Sequence, residues 1–236
     1  MPAMRALLFD LDGTLTKGGG GGSRALGRAL ETKERAALEL RKMRLDGMTD
    51  RSIARALLAA EGDPQTPLPE RMANVGEANI DTVLERYLQM LEQECSVRPY
   101  QPLPGVPQLL ASLAGRADAL VGLCTGNLER GARIKLGSAG LWGSFRFGGY
   151  GSDAEARAEI VRIAWRRAQA LGARDALVIG DTSRDILAAH DAGLPACAVA
   201  TGRFSVHELA EHGAEIVVQD LSDWAAAERL LLGPLR

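Results

Sequence analysis

The sequence predicts an α/β fold: a doubly wound parallel sheet with an all-helical segment inserted after its first strand. Three observations predict it. Short apolar runs alternate with helix-period segments from residue 100 onward. One further apolar run, MRALLF at 4–9, stands ahead of residues 20–96, which read as helical throughout. Five glycines at 18–22 and the four-proline stretch VRPYQPLPGVP at 97–107 mark where the chain leaves the sheet and returns. The expected division is a Rossmann-like core of 1–17 and 100–236 and a helical domain of 18–99.

Each element has its own signal. MRALLF is short and apolar on both faces, as a central strand requires. The glycine run predicts a mobile hinge. Leu26, Leu30, Ala37, Leu38, Leu40 and Leu45 among charged residues predict a helix from Ser23 to about Asp46. Thr49 and Asp50 are N-cap candidates for a helix over Ser52–Ala60, closed by Gly62 and Pro64. Val75, Ile80, Val83, Leu84, Tyr87, Leu88 and Leu91 predict a third helix over Glu70–Glu94. Beyond the prolines the pattern reads helix 106–114, strand 119–124, helix 129–140, a short strand near Arg146–Phe147 and helix 154–171. Strand 176–180, helix 183–192, strand 196–200, helix 205–212, strand 215–218 and helix 222–232 complete it.

Composition narrows the function classes. The 236 residues are 46% hydrophobic and 25% charged with net charge -2, which gives no bulk reason for a nucleic-acid partner. No apolar run is long enough to span a bilayer. Cys95, Cys124 and Cys197 are widely spaced, which fits reduced thiols and a cytoplasmic setting.

In open parallel sheets ligands bind outside the carboxyl ends of the strands. Those ends carry Asp10-Leu11-Asp12-Gly13-Thr14, Cys124-Thr125-Gly126-Asn127 and Gly180-Asp181-Thr182-Ser183-Arg184-Asp185. Asp10, Asp12, Asp181 and Asp185 would repel one another without a cation, and hard oxygen donors in that number suit Mg²⁺. Thr125 and the backbone N–H groups of Gly126 and Asn127 suit phosphate oxygens. A basic side chain, Arg157 or Lys135, would balance the remaining phosphate charge. Of the two leading acids, Asp10 is assigned as nucleophile and Asp12 as acid and base.

FDLDGTLT, CTGN and GDTSRDILAAHDAG, in this order, resemble motifs I, II and IV of the haloacid-dehalogenase-like hydrolases, and the layout resembles their phosphoglycolate-phosphatase-like branch. The resemblance implies an Mg²⁺-dependent phosphohydrolase of small phosphorylated metabolites, with the helical insert as a cap. It implies Asp10, the Asp12 carbonyl, Asp181 and Asp185 as metal ligands and Thr125 as a phosphate binder. The usual lysine of motif III is missing. Arg157 stands in its place and is preferred over Lys135, which reads as a helix residue serving packing or solubility. A phosphomutase and a non-catalytic phosphate-binding protein are the alternatives. A monomer or homodimer is expected, without nucleic acid or membrane as partner.

Overall fold

The computed structural model describes residues 4–30 and 33–234. β1 (Arg5–Phe9) leads to β2 (Thr16–Lys17) and then to the helices α1 (Gly21–Ala29), α2 (Glu34–Leu40), α3 (Asp50–Ala59), α4 (Leu68–Ala73) and α5 (Glu77–Val97). After β3 (Gln101–Pro102) come α6 (Val106–Ala114), β4 (Ala119–Thr125), α7 (Glu129–Ser138), β5 (Gly148–Tyr150) and α8 (Arg157–Ala170). β6 (Asp175–Gly180), α9 (Ser183–Asp191), β7 (Ala196–Val199), α10 (Val206–Glu211), β8 (Ile216–Val218) and α11 (Trp224–Leu232) follow.

Alternation within β1 explains its place. Leu7 and Phe9 face one side, Ala6 and Leu8 the other, and all four are fully buried. A strand buried on both faces belongs at the centre of a parallel sheet. The six-stranded sheet has the order β5-β4-β1-β6-β7-β8, with every pair parallel. Leu7 and Phe9 pack with Leu109, Leu113, Leu123 and Ile179 under α6 and α11. Ala6 and Leu8 pack with Ile160, Ala164 and Ile186 under α8 and α9. The helical insert has its own apolar cluster, built on Leu26, Leu57, Leu84 and Leu91.

The register fixes what meets at the carboxyl edge. Phe9 pairs with Leu123 of β4 and with Ile179 of β6. Asp10 comes next on β1, and Thr125 and Asp181 lie two residues beyond the paired Leu123 and Ile179, so the three emerge at the same edge.

Several boundaries differ from the sequence reading, each for a physical reason. The helix expected over 23–46 is two shorter ones, with Glu31 and Thr32 outside the described residues. After α2 the chain turns through Gly47 (φ 66°) so that the Asp46 and Gly47 carbonyls meet Arg184 and Arg157 of the sheet domain. The helix expected over 70–94 breaks at Gly76, whose backbone is extended, into α4 and α5. The strand placed near 146–147 lies at Gly148–Tyr150, because Phe147 lays its ring over Gly122. α8 starts at Arg157 rather than 154 because Ala156 is extended and Glu155 is used in contacts to the insert.

The glycine run is not a free linker. Gly21 and Gly22 begin α1, and Gly19 and Gly20 take positive φ. A Cβ on Gly18 would lie 2.2 Å from the buried ring of Tyr100. The ends of the insert are tied by β2 against β3, Thr16 opposite Pro102 and Lys17 opposite Gln101.

This gives a direct contrast. Gly18→Ala should lower stability in urea by about 1–3 kcal/mol, since the ring of Tyr100 must move. Gly137→Ala, in α7 with nothing within 4 Å of the new methyl, should raise it by about 0.5–1 kcal/mol. A neutral or stabilising Gly18→Ala would restore the linker reading.

Candidate active site

Three carboxylates gather at the sheet edge. Asp10, Asp181 and Asp185 are 6%, 5% and 3% exposed. Each offers an oxygen within 4.8 Å of the others. Asp10 is fixed by its own N–H, which donates to the Ile179 carbonyl at 2.8 Å. Asp181 accepts from the Thr14 hydroxyl at 3.1 Å. Asp185 sits in the first turn of α9, where its Oδ2 accepts from the Thr182 N–H at 3.0 Å and hydroxyl at 2.7 Å. It therefore caps a helix and faces the acids at once.

Arg157, at the first position of α8, reaches into this cluster. Its Nη2 lies 3.0 Å from Asp10 Oδ1 and also pairs with Asp185 Oδ1. One guanidinium against three carboxylates leaves the cluster short of positive charge. Burial raises the Asp10 pKa to about 6; Arg157 opposes the rise, and Asp185 and Asp12 add to it. Burial also pushes Asp181 well above the ordinary range, helped by Asp185 and Asp10. Burial alone would lower the Arg157 pKa, but Asp185 and Asp10 raise it, so it stays charged.

The donors suit a hard divalent ion. Space around Asp181 is also kept clear: a Cβ on Gly202 would lie 1.9 Å from its Oδ2, and one on Gly13 2.3 Å away. The Asp12 carboxylate is not part of this cluster. Its side chain is half-exposed, and its Oδ2 accepts from Lys135 Nζ at 2.6 Å and Asn127 Nδ2 at 2.9 Å.

Lys135 corrects the sequence reading. It serves neither solubility nor simple packing: it is 4% exposed and bonds both Asp12 and Asn127 Oδ1, each at 2.6 Å. Burial would lower its pKa, but Asp12, Tyr87, Tyr100 and Asp50 together more than reverse this. Both candidate cations thus belong to the site, Arg157 beside Asp10 and Lys135 beside Asp12. A signal existed: Lys135 continues the buried stripe of Gly131, Ala132 and Leu136 along α7, where a lysine is out of place unless paired.

Thr125, 1% exposed, ends β4 with its hydroxyl oxygen accepting from Asn127 Nδ2 at 2.9 Å. Asn127 spends its side chain on Thr125, Asp12 and Lys135, so it organises the loop. Gly126 lies against the insert, where a Cβ would meet the Met48 carbonyl at 2.5 Å.

Above these groups lies a cavity of about 470 Å³. Its floor holds Asp10, Asp12, Thr125, Lys135 and Arg157, while Leu26, Met48, Ile53 and Tyr87 come from the insert. Asp50, on α3, also lines it; burial raises its pKa to about 6 against the opposing pull of Lys135 and the Leu128 N–H. Sequence reading saw Asp50 only as a cap. Nothing local to it announced a role at the sheet edge, because its partners are 76 and 78 residues away in the chain.

The raised Asp10 pKa has a stability consequence. The folded state holds the proton up to about pH 6, and the unfolded chain releases it near 3.8. Stability from this group is therefore greatest at low pH and declines as pH rises from about 4 to 6. Without divalent metal, Asp10→Asn should raise Tm at pH 8 and leave it nearly unchanged at pH 4. Parallel Tm curves for the two proteins across this range would contradict the placement.

The chain is 29% identical over 233 residues to "Probable phosphatase IndB" of Dickeya dadantii (strain 3937), covering 96% of this chain and 94% of that one. A hydrolase from Pseudomonas syringae shares the fold, with TM-score 0.71, 23% identity and coverage of 95% and 96%. CbbY from Rhodobacter sphaeroides, solved in complex with phosphate, shares it with TM-score 0.69, 19% identity and coverage of 93% and 96%. At these identities the solved structures speak for the fold alone. The model of the haloacid dehalogenase-like hydrolases matches residues 4–193, and the chain belongs to that family of enzymes.

Proposed function

We propose that the chain is an Mg²⁺-dependent phosphatase that hydrolyses a small phosphorylated metabolite, phosphoglycolate- or sugar-phosphate-like, through an aspartyl-phosphate on Asp10. The observation that carries this reading is the meeting of Asp10, Asp181 and Asp185 beside Arg157 and Thr125 under one cavity. The phosphatase name of the Dickeya relative supports it. Residues 18–99 act as a lid over a core of 1–17 and 100–236, and they shield the reacting groups from water. Three free, buried cysteines fit a reducing, cytoplasmic setting. Among the described residues no helix is long and apolar enough to cross a membrane.

Asp10, Asp181 and Asp185, with the Asp12 carbonyl, would hold Mg²⁺, which when bound neutralises charge on the phosphoryl oxygens. Thr125 and the N–H groups after it hold the phosphoryl group. A carboxylate oxygen of Asp10 forms a bond to phosphorus as the bond to the ester oxygen breaks. Protonated Asp12 gives its proton to the departing oxygen. The Asp12 carboxylate then takes a proton from water, whose oxygen attacks phosphorus and releases Asp10 and inorganic phosphate. Lys135 and Asn127 both grip Asp12 at Oδ2, which leaves Oδ1 as the oxygen for proton transfer. Arg157, 3.0 Å from Asp10, faces the charge that accumulates on the transferring group.

The test is release of inorganic phosphate from an aryl phosphate and from a panel of phosphorylated metabolites. Turnover should require Mg²⁺, stop on chelation and vanish in Asp10→Asn. Arg157→Ala should lower kcat/KM by about 10²–10³ and weaken inhibition by phosphate more than Lys135→Ala does. Isomerised sugar phosphate without released phosphate would make the protein a mutase. Phosphate binding without turnover would make it a binding protein.

A further inference from the structure

We propose that Asp50, carried by the helical insert, is a positioning residue for the phosphate loop at 125–127, which it holds through the N-terminus of α7. The inference rests on the phosphatase reading for what that loop does, and on geometry alone for where Asp50 acts.

Two hydrogen bonds bracket the loop. The Asp50 N–H donates to the Gly126 carbonyl at 2.8 Å, and Asp50 Oδ2 accepts from the Leu128 N–H at 2.9 Å. Asn127, between these anchors, is the residue that organises Thr125, Asp12 and Lys135. A helix start leaves N–H groups without intrahelical partners, and a local Ser, Thr, Asp or Asn normally accepts from one of them. The residue that caps α7 is Leu128, which has no acceptor in its side chain. Asp50 reaches this helix start from another part of the chain and accepts from the Leu128 N–H, while the Ser152 hydroxyl accepts from the Glu129 N–H at 3.2 Å; the Asp50 charge suits a helix N-terminus.

Asp50 is itself held firmly. Thr49 and Ser52 form a capping box that fixes Asp50 as the first residue of α3. The Thr49 hydroxyl donates to the Glu155 carbonyl at 3.1 Å, and Arg55 pairs with the Glu155 carboxylate at 2.8 Å. Arg157 donates to the Gly47 carbonyl at 3.2 Å. The same seam thus joins the insert to the phosphate loop and to the residue beside Asp10. Seating the insert and shaping the loop become one event, so the site is complete only when the lid is down.

The test uses Asp50→Ala and Asp50→Asn in the full chain. It reads hydrogen–deuterium exchange over residues 126–130, affinity for inorganic phosphate at saturating Mg²⁺, and kcat and KM on an aryl phosphate. In Asp50→Ala, exchange should rise and phosphate affinity fall, each about tenfold, as the loss of one hydrogen bond implies. Asp50→Asn, whose amide oxygen accepts the same bond, should stay within about threefold of wild type in both. A merely structural role would lower Tm in Asp50→Ala without moving phosphate affinity in the folded protein. Wild-type exchange and phosphate affinity in Asp50→Ala would overturn the proposal, as would equal damage in both variants. Should the wild type release no phosphate from any ester, the phosphatase reading fails, and the exchange data alone decide whether Asp50 holds the loop.

Discussion

Repulsion among three buried carboxylates is the constraint on which this structure turns. Asp10, Asp181 and Asp185 sit close together where water screens little, and among the described residues only Arg157 pairs with them directly. Such an arrangement costs stability, and a fold keeps it when a ligand offsets the cost. The acids do not drift apart because each is held by something other than its charge. Asp10 is tied by a strand hydrogen bond, Asp181 by Thr14, and Asp185 by its own helix cap. The sheet prepares a strong electrostatic field before any ligand arrives, which is how preorganised sites lower barriers.

Topology makes this possible. Placing β1 between β4 and β6 brings together segments more than a hundred residues apart in sequence. The first strand is thus both the centre of the core and the carrier of the leading acids. Its apolar alternation and its acidic end are two consequences of one position. The insert leaves directly after that end, so its loop from Leu45 to Asp50 lies over the groups it must cover.

Much of the fold was legible because its signals are local. The strand–helix alternation after residue 100 was readable from period alone, and most elements lie within a few residues of the expected bounds. The helical insert was legible as a class but not in detail. A loop that bends to offer carbonyls to Arg157 and Arg184 has no periodic signature, so residues 41–46 read as helix. The glycine run read as slack because its shape is set by Tyr100, which lies far along the chain. At the site, the meeting of Asp10 and Asp181 at one sheet edge was legible from their place just beyond strand ends, whereas the separate setting of the Asp12 carboxylate was not. Lys135 was misjudged because its partner Asp12 is 123 residues away and only the fold joins them. Asp50 was invisible as a site residue for the same reason.

The central claim is that one divalent ion binds where these carboxylates meet. Titration of Mn²⁺ into the metal-free protein, followed by electron paramagnetic resonance, tests it most directly. The account predicts a single site in the wild type, weakened by about tenfold or more in both Asp181→Asn and Asp185→Asn, with Arg157 intact. Undiminished affinity in both variants would contradict it.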